Sequence, residues 1–483
     1  MHTKSTKTAA ELFVECLENE GVEYIFGIPG EENLAFIDAL LDSSIRFVTV
    51  RHEQGAAFMA DVYGRLTGRA GVCLATLGPG ATNLVTGFAD ANMDRAPVVA
   101  IAGQGATTRM HKESHQVLDL VNLFKPISKY SVNVLEPENV PEIIRKAFKD
   151  AQAEKPGGCF ICLPENIAGG EVTDDLVPLK VQGPLPAFPN PDKIRQAADV
   201  ISQARHPIIM AGNGVVRAHA QEALLRFAER LNIPVSQTFM AKGCMPFDHP
   251  LSLGSVGLQA HDYVACGFDH ADVIICVGFD MVEYHPSLWH PGKDKKIIHI
   301  DRSYAEVDAH YILEAGVIGE IGSSLAQIAE LASPQKQRWA GSLRESIVRE
   351  LQDYADNDSY PIKPQRILND TRQVMGRSDI LISDVGAHKM WIARLYRCYE
   401  PNTCIISNGF ASMGIGVPGA MAAKLANPDK RVMTITGDAG FMMNSQEIET
   451  ALRWNIAMVI MIWNDSEYGL IKWHQQRHFG RTG

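Results

Sequence analysis

Acidic residues and glycines that could bind a metal and a phosphate follow two predicted strands late in this 483-residue sequence. Asp438 lies between Gly437 and the pair Ala439-Gly440, and Asp465 follows the next predicted strand. Mg²⁺ prefers oxygen ligands in an octahedron, typically carboxylates with phosphate oxygens and water. The two aspartates could supply two such ligands, although acidic turns after strands are more often simply solvated.

For each residue of a second candidate group, a purely structural role is also possible. Glu53 is at the predicted start of a helix, where the helix dipole favours an acid that points at water. The segment Gly78-Pro79-Gly80 fits a tight turn from a strand into a helix. Asn444 and Glu447 have the spacing of a pair that caps a helix N-terminus. On position alone, none of these residues establishes a function.

The elements that must position these residues alternate between strand and helix. Thr8 and Glu11 predict a capping box for a first helix that stops at Gly21. Strands are predicted at residues 23–27, 45–50, 72–76 and 98–102, with helices that start near Glu32, Glu53, Ala81 and Val117. This alternation predicts a doubly wound parallel sheet, which binds ligands at the carboxyl ends of its strands.

Two further α/β units are predicted after a linker rich in Pro and Gly at residues 169–192. The second unit has a helix around Ala197 and strands at 208–211, 273–277 and 297–300. A polar helical stretch at 335–355 leads to a third unit with strands at 380–383, 403–406, 432–436 and 458–463. The predicted architecture is three doubly wound domains at residues 1–170, 190–333 and 360–483.

Charge and cysteine usage exclude several classes of protein. A formal net charge of −11 disfavours nucleic acid and anionic membranes as partners. The nine cysteines are scattered through apolar stretches, and the CxxC of Cys159 and Cys162 has the pattern of a buried strand. No leader is recognisable, and no window approaches about 18 apolar residues, so we expect a cytoplasmic protein.

In combination, the motifs resemble those of a known family. In chain order they are FGIPG, VRHEQGAAFMADVYGR, LGPGATN, SHQ, SNGFASMGIGVPGA, GDAGFMMNSQEIETA and WND. The chain resembles thiamine-diphosphate enzymes and is most similar to acetolactate synthases. The resemblance implies a pyrimidine-binding, a central and a diphosphate-binding domain, with the cofactor between two subunits of a homodimer or homotetramer. It also implies that two pyruvate molecules condense to 2-acetolactate with loss of CO₂.

The resemblance implies roles for individual residues on the pyrimidine side of the cofactor. Glu53 matches the glutamate that hydrogen-bonds the aminopyrimidine and so activates the thiazolium carbon. Met413 matches the bulky residue that keeps the cofactor bent. Gln116 matches an active-site glutamine, His115 falls where related enzymes often have an aromatic residue, and Gly30 lies in a loop that approaches the substrate.

On the diphosphate side, the resemblance implies Mg²⁺ bound by Asp438, Asp465 and the backbone carbonyl of Glu467. Ala439 replaces the last glycine of the usual Gly-Asp-Gly motif, which is harmless if the backbone needs no positive φ. Asp465 replaces an asparagine. The remaining cofactor contacts are implied at Gly78, Asn83, His388, Ala411, Gly437, Asp438 and Ala439.

The central domain is similar to that of the catabolic, FAD-independent type. Glu283-Tyr284 and Pro286 match that type, and residues 256–259 (VGLQ) replace the Met-Gly-Met-His of enzymes that bind FAD. We therefore expect no FAD.

Rival functions share several of these features. Another thiamine-diphosphate 2-oxoacid decarboxylase or carboligase would also use Glu53 and the metal loops. The family continues for several tens of residues beyond Gly483, from which we expect weaker cofactor retention and more acetaldehyde; a catalytically weak or non-catalytic cofactor-binding homologue is an alternative. A nicotinamide oxidoreductase is disfavoured because no GxGxxG opens a helix after a first strand.

Overall fold

The computed structural model describes residues 6–183, 185, 187–258 and 262–483. The chain divides into two compact units, each assembled from separate segments. The first comprises the described residues of Met1–Pro184 with Gly409–Asp429 and Asp438–Ile460. The second comprises the described residues of Leu185–Asn408 with Lys430–Gly437 and Met461–Gly483.

The first unit contains a six-stranded parallel sheet and a short antiparallel pair. The strands are β1 (Thr6–Thr8), β2 (Tyr24–Gly27), β3 (Arg46–Thr49), β4 (Gly71–Ala75), β5 (Val98–Gln104), β6 (Tyr130–Asn133), β7 (Gly158–Pro164) and β8 (Glu171–Thr173). The parallel sheet has the order β3-β2-β4-β5-β7-β6, and β1 pairs with β8. Part of the predicted linker at 169–192 is therefore a strand rather than a loop.

The helices of this region cover the sheet and position its loops. They are α1 (Ala9–Asn19), α2 (Leu34–Ala39), α3 (Glu53–Thr67), α4 (Pro79–Met93), α5 (Leu120–Phe124), α6 (Val140–Gln152) and α7 (Glu165–Ala168). The predicted capping box of α1 is confirmed, because the Thr8 hydroxyl accepts from the Glu11 amide at 3.1 Å and the Glu11 carboxylate accepts from the Thr8 amide at 2.6 Å. Gly21 follows with a φ of +80°.

The second unit contains another six-stranded parallel sheet. Its strands are β9 (Pro207–Ala211), β10 (Val235–Gln237), β11 (Ser252–Ser255), β12 (Val273–Val277), β13 (Lys296–Asp301) and β14 (Leu313–Ile318), in the order β11-β10-β9-β12-β13-β14. The helices of this unit are α8 (Pro191–Gln203), α9 (Asn213–Arg217), α10 (Gln221–Leu231), α11 (Tyr263–His270), α12 (Pro286–Trp289), α13 (Ile321–Leu331), α14 (Gly341–Gln352), α15 (Pro364–Val374) and α16 (Ala387–Leu395).

A third sheet lies in the last part of the chain. Its strands are β15 (Ile380–Ser383), β16 (Cys404–Ile406), β17 (Val432–Gly437) and β18 (Val459–Trp463), in the order β16-β15-β17-β18. The remaining helices are α17 (Gly416–Ala426), α18 (Asp438–Met443), α19 (Glu447–Arg453) and α20 (Gly469–Phe479). The three parallel sheets confirm the predicted α/β class, and each lies inside one of the three predicted domain ranges, whose boundaries stay predictions.

The central strands are buried on both faces, as parallel sheets covered by helices require. Every residue of β4, β5, β7, β9 and β12 is buried. Cys159 and Cys162 lie in β7, where burial raises the pKa of each thiol to about 12, so neither is poised for redox chemistry. In the described part of the chain, no helix has the length and apolarity needed to cross a membrane.

The aromatic core under β7 allows a test of the fold. The rings of Phe124 and Phe160 stack with centroids 3.9 Å apart, and both side chains are fully buried. We expect Phe160→Ala to lower the free energy of unfolding by about 3–5 kcal/mol, because it leaves a cavity. The control is Phe188→Ala, at a ring that is 84% exposed. Equal urea midpoints for the two variants would contradict this packing.

Candidate active site

Glu53 is buried rather than solvated. It is the first residue of α3 and only 8% exposed, and its Oε2 accepts a hydrogen bond from Asn83 Nδ2 at 2.9 Å. Asn83 lies early in α4, which begins after β4. Two parallel strands thus lead into helices whose N-terminal parts meet at this carboxylate. A buried carboxylate in this position can exchange a proton with a bound ring nitrogen.

A second glutamate holds the turn that precedes Glu53. The fully buried Glu447 carboxylate accepts from the backbone amides of Arg51 and His52, each at 3.0 Å, and from the Thr450 hydroxyl at 2.8 Å. Burial raises the pKa of Glu447 above its ordinary value, and these hydrogen bonds oppose the rise. The contact fixes the backbone immediately before the start of α3.

The predicted capping role of Asn444 and Glu447 is therefore wrong. Gln446 is the N-cap of α19 and makes no side-chain cap, while Asn444 Nδ2 donates to the Gly414 carbonyl at 2.8 Å and to Gln54 Oε1 at 3.2 Å. The local spacing fits a cap, but both side chains satisfy backbone groups that are remote in sequence. A glutamate at the start of a helix gives by itself no sequence signal for such a remote contact.

Glycines keep side chains out of the space around Glu53. A Cβ on Gly80 would lie 3.2 Å from Glu53 Oε1. Gly78 has a φ of +51°, and a Cβ there would lie 2.8 Å from the Gln116 carbonyl oxygen. A Cβ on Gly30 would lie 2.4 Å from Thr76 Cβ, so that loop also requires glycine. The glycines are thus required by close contacts and not only by turns.

The predicted substrate-facing pair lies in the loop between β5 and α5. The structure brings the backbone of Gln116, which has a φ of +59°, next to Gly78. His115 is exposed, and its carbonyl accepts from Arg109 Nη2 at 3.5 Å. Both side chains are accessible to a small ligand.

Ala411 and Met413 lie in the segment that leads into α17. Ala411 has a φ of +55°, which an L residue rarely adopts, and the Met413 side chain is half-buried. The Gly414 carbonyl is held by Asn444. The segment is therefore an ordered, strained loop rather than part of the helix.

In the second unit, His388 lies close to the end of β17. A Cβ on Gly437 would lie 3.4 Å from the His388 ring, which is 6% exposed and whose Nε2 has no hydrogen-bond partner among the described residues. Burial lowers the pKa of His388 to about 4, so the imidazole is neutral at pH 7. A buried ring in this position, beside a glycine, can contact a phosphate.

The acidic candidates keep oxygen atoms available for a cation. In the first unit, Asp438 opens α18, and its Oδ1 accepts from the Ala439 amide at 3.0 Å. Ala439 is in a right-handed helix, so its replacement of glycine is accommodated. In the second unit, Asp465 Oδ1 accepts from the Glu467 amide at 3.2 Å, and both residues are exposed. Over the described residues, no three His, Cys, Asp or Glu side chains form a metal cluster.

Three domain models of one enzyme class match the chain in order. The thiamine pyrophosphate enzyme N-terminal TPP binding domain matches residues 7–123, the central domain 194–328 and the C-terminal TPP binding domain 384–483. Thiamine pyrophosphate is another name for thiamine diphosphate. With the three parallel sheets and the buried Glu53, these matches define the class as a three-domain thiamine pyrophosphate enzyme.

Comparison with similar proteins identifies one family within this enzyme class. The probable acetolactate synthase large subunit of Methanocaldococcus jannaschii is 38% identical, over 98% of this chain and 82% of that protein. The acetolactate synthase of Bacillus subtilis is 35% identical, over 99% and 86%. The catabolic acetolactate synthase of Raoultella terrigena is 34% identical, over 99% and 87%. The chain belongs to the acetolactate synthase family of thiamine pyrophosphate enzymes.

The role of Glu447 gives a testable prediction. Glu447→Ala leaves two backbone amides of half-buried residues without their acceptor, so we expect the free energy of unfolding to fall by about 1–3 kcal/mol. Glu449→Ala is the matched control, because Glu449 is an exposed acid two residues away that also pairs with Arg51, through its guanidinium. Urea titration compares the two variants. A stability of Glu447→Ala equal to that of the control would refute the assigned contact.

Proposed function

We propose that the chain condenses two molecules of pyruvate to 2-acetolactate and CO₂, with thiamine diphosphate anchored through Mg²⁺. The observation that carries the proposal is Glu53, a buried carboxylate with one oxygen bonded to Asn83 and the other beside Gly80. Membership of the acetolactate synthase family supports the same reaction.

The residues present fit the cofactor on each side. When bound, thiamine diphosphate supplies the carbon nucleophile and the electron sink for decarboxylation. Glu53 would hold a proton at the aminopyrimidine ring nitrogen, in the space that Gly80 leaves open. Met413 and the backbone of Ala411 would support the bent cofactor. Gly78 would let the ring approach the backbone.

The diphosphate and the metal would be held by the other candidates. The buried, neutral ring of His388 would contact the diphosphate, which Gly437 lets approach. Asp438, Asp465 and the carbonyl of Glu467 would bind Mg²⁺, with phosphate oxygens and water as the other ligands. Oxygen donors without sulfur or imidazole suit Mg²⁺ better than zinc.

On the substrate side, Gln116 and His115 would face the reacting carbonyls and Gly30 would line the approach. Gln116 is held beside Gly78 by its backbone, which leaves its side chain to orient the ketoacid. An amide donor and a histidine suit a substrate with adjacent carboxylate and ketone oxygens.

We also propose that FAD is not required. Glu283 is buried, and its carboxylate accepts from the amides of Asn213 at 3.0 Å and Asp280 at 3.1 Å, and from the Thr238 hydroxyl. These amides follow β9 and β12, at the strand ends where dinucleotide phosphates bind in related sheets. An internal carboxylate thus uses donors that a dinucleotide would need. Of the VGLQ segment, Gln259 lies outside the described residues.

The proposed assembly is a homodimer or homotetramer with active sites between subunits, in the cytoplasm. The basis for the assembly is the family resemblance. The nine cysteines support a reducing compartment, since all are free thiols and eight of them are buried.

Product formation tests the reaction directly. We expect the purified chain to form acetolactate from pyruvate without added FAD, and to lose this activity when either thiamine diphosphate or Mg²⁺ is omitted. Glu53→Gln should lower the rate by about 100-fold or more while the cofactor still binds, because the amide cannot exchange the proton. A different product from pyruvate would favour another thiamine-diphosphate carboligase, and full activity of Glu53→Gln would refute the role of Glu53.

The buried Glu283 predicts a pH dependence. Burial raises its pKa to about 7 from an ordinary 4.5, so its contribution to stability is complete below pH 4.5 and is lost as the pH rises through 7. We expect the urea midpoint of the wild type, relative to Glu283→Gln, to decrease between pH 4.5 and 7.5. A constant difference between the two proteins would show that Glu283 does not titrate in this range.

A further inference from the structure

A buried cluster of charges joins α3, α4 and the segment that precedes α17. Arg65, on α3, donates from Nε to Asp61 Oδ1 at 2.6 Å and from Nη2 to Asp61 Oδ2 at 2.8 Å. The same Nη2 reaches Asp90 Oδ2 at 3.0 Å and Asp94 Oδ2 at 2.8 Å on or just after α4. All three aspartates are fully buried, and the arginine side chain is 7% exposed.

The cluster contains three carboxylates, of Asp61, Asp90 and Asp94, and a single guanidinium, that of Arg65. A buried carboxylate must accept further hydrogen bonds or take up a proton. Burial, followed by repulsion from Asp94 and Asp61, raises the pKa of Asp90 well above its ordinary value. The remaining oxygens of the cluster therefore need donors from outside it.

Those donors come from the segment that carries Ala411 and Met413. Asp94 Oδ1 accepts from the Gly409 amide, and Asp90 Oδ1 accepts from the Ser412 amide at 3.3 Å. Between the two anchored amides, Ala411 has its left-handed φ of +55°. The two aspartates thus hold the backbone on both sides of the strained residue and immediately before Met413.

Helix α3 carries both Glu53 and the arginine of this charge cluster. Glu53 begins α3, and Arg65 lies twelve residues later, about 18 Å along the axis at 1.5 Å per residue. The carboxylate proposed to activate the cofactor and the cation that gathers Asp90 and Asp94 are therefore parts of one rigid element.

We propose that Asp90 and Asp94, held by Arg65, are positioning residues of the reaction: they fix residues 409–412 so that Ala411 and Met413 support the bent cofactor. The inference rests on the proposed function, since it assigns a task to residues that touch thiamine diphosphate only through Ala411 and Met413.

The test measures the step that needs the bent geometry. Protein loaded with thiamine diphosphate and Mg²⁺ is mixed into D₂O and quenched with acid, and NMR gives the exchange rate of the C2 proton of the bound cofactor. We expect Asp94→Ala to slow the exchange by about tenfold or more, because small displacements of a reacting group cost large factors in rate. The dissociation constant for the cofactor should change less than the exchange rate.

Two further variants separate positioning from stability. Asp94→Asn keeps an oxygen for the Gly409 amide, so exchange should be slowed less than in Asp94→Ala. Asp379→Ala is the matched control, because Asp379 is also buried and accepts from two amides, of Gly376 and Arg431, and from the Arg431 guanidinium. It should lose stability without slower exchange.

The outcomes are distinguishable. Wild-type exchange in Asp94→Ala, or in Asp90→Ala if the Asp94 variant does not fold, overturns the positioning role while the proposed reaction stands, because Asp90→Ala removes the acceptor of the Ser412 amide. Equal slowing in Asp379→Ala also overturns it, because the effect would then follow stability. A wild type that binds no cofactor or does not exchange its proton refutes the proposed function and the inference together.

Discussion

The burial of a carboxylate at the start of α3 is the constraint on which the rest of the site depends. Glu53 loses most of its hydration there, and the hydrogen bond it accepts from Asn83 comes from a neutral amide, which leaves its second oxygen for a ligand. The backbone that presents Glu53 is held by another buried carboxylate, that of Glu447. Because these acids replace water by directed donors, the site is preorganised before any ligand binds.

The parts of the fold that sequence predicts are those determined by local pattern. The strands at 273–277 and 380–383 were predictable to the residue, since continuous apolar runs bounded by turns mark buried parallel strands. The Thr8–Glu11 cap was predictable because its two partners lie three residues apart in the sequence. Strand β8 was not, because the pairing that defines it joins residues more than 160 positions apart.

The same distinction between local and long-range signals applies to the residues of the candidate site. Position alone predicts that Glu53 points at water, and only the joint motif pattern indicates its chemical role. The local spacing wrongly predicts that Glu447 caps a helix, because its actual partners, Arg51 and His52, are 396 and 395 residues away. Asp90 and Asp94 gave no signal, since acidic residues near the end of an amphipathic helix are usually exposed, and only the packing of Arg65 against them shows otherwise.

A crystal structure of the chain with thiamine diphosphate and Mg²⁺ tests most directly whether Glu53 activates the cofactor. We expect a Glu53 carboxylate oxygen within about 2.6–3.2 Å of the aminopyrimidine ring nitrogen, with Asn83 still bonded to the other oxygen. A cofactor whose pyrimidine ring lies out of hydrogen-bond reach of Glu53 would contradict it.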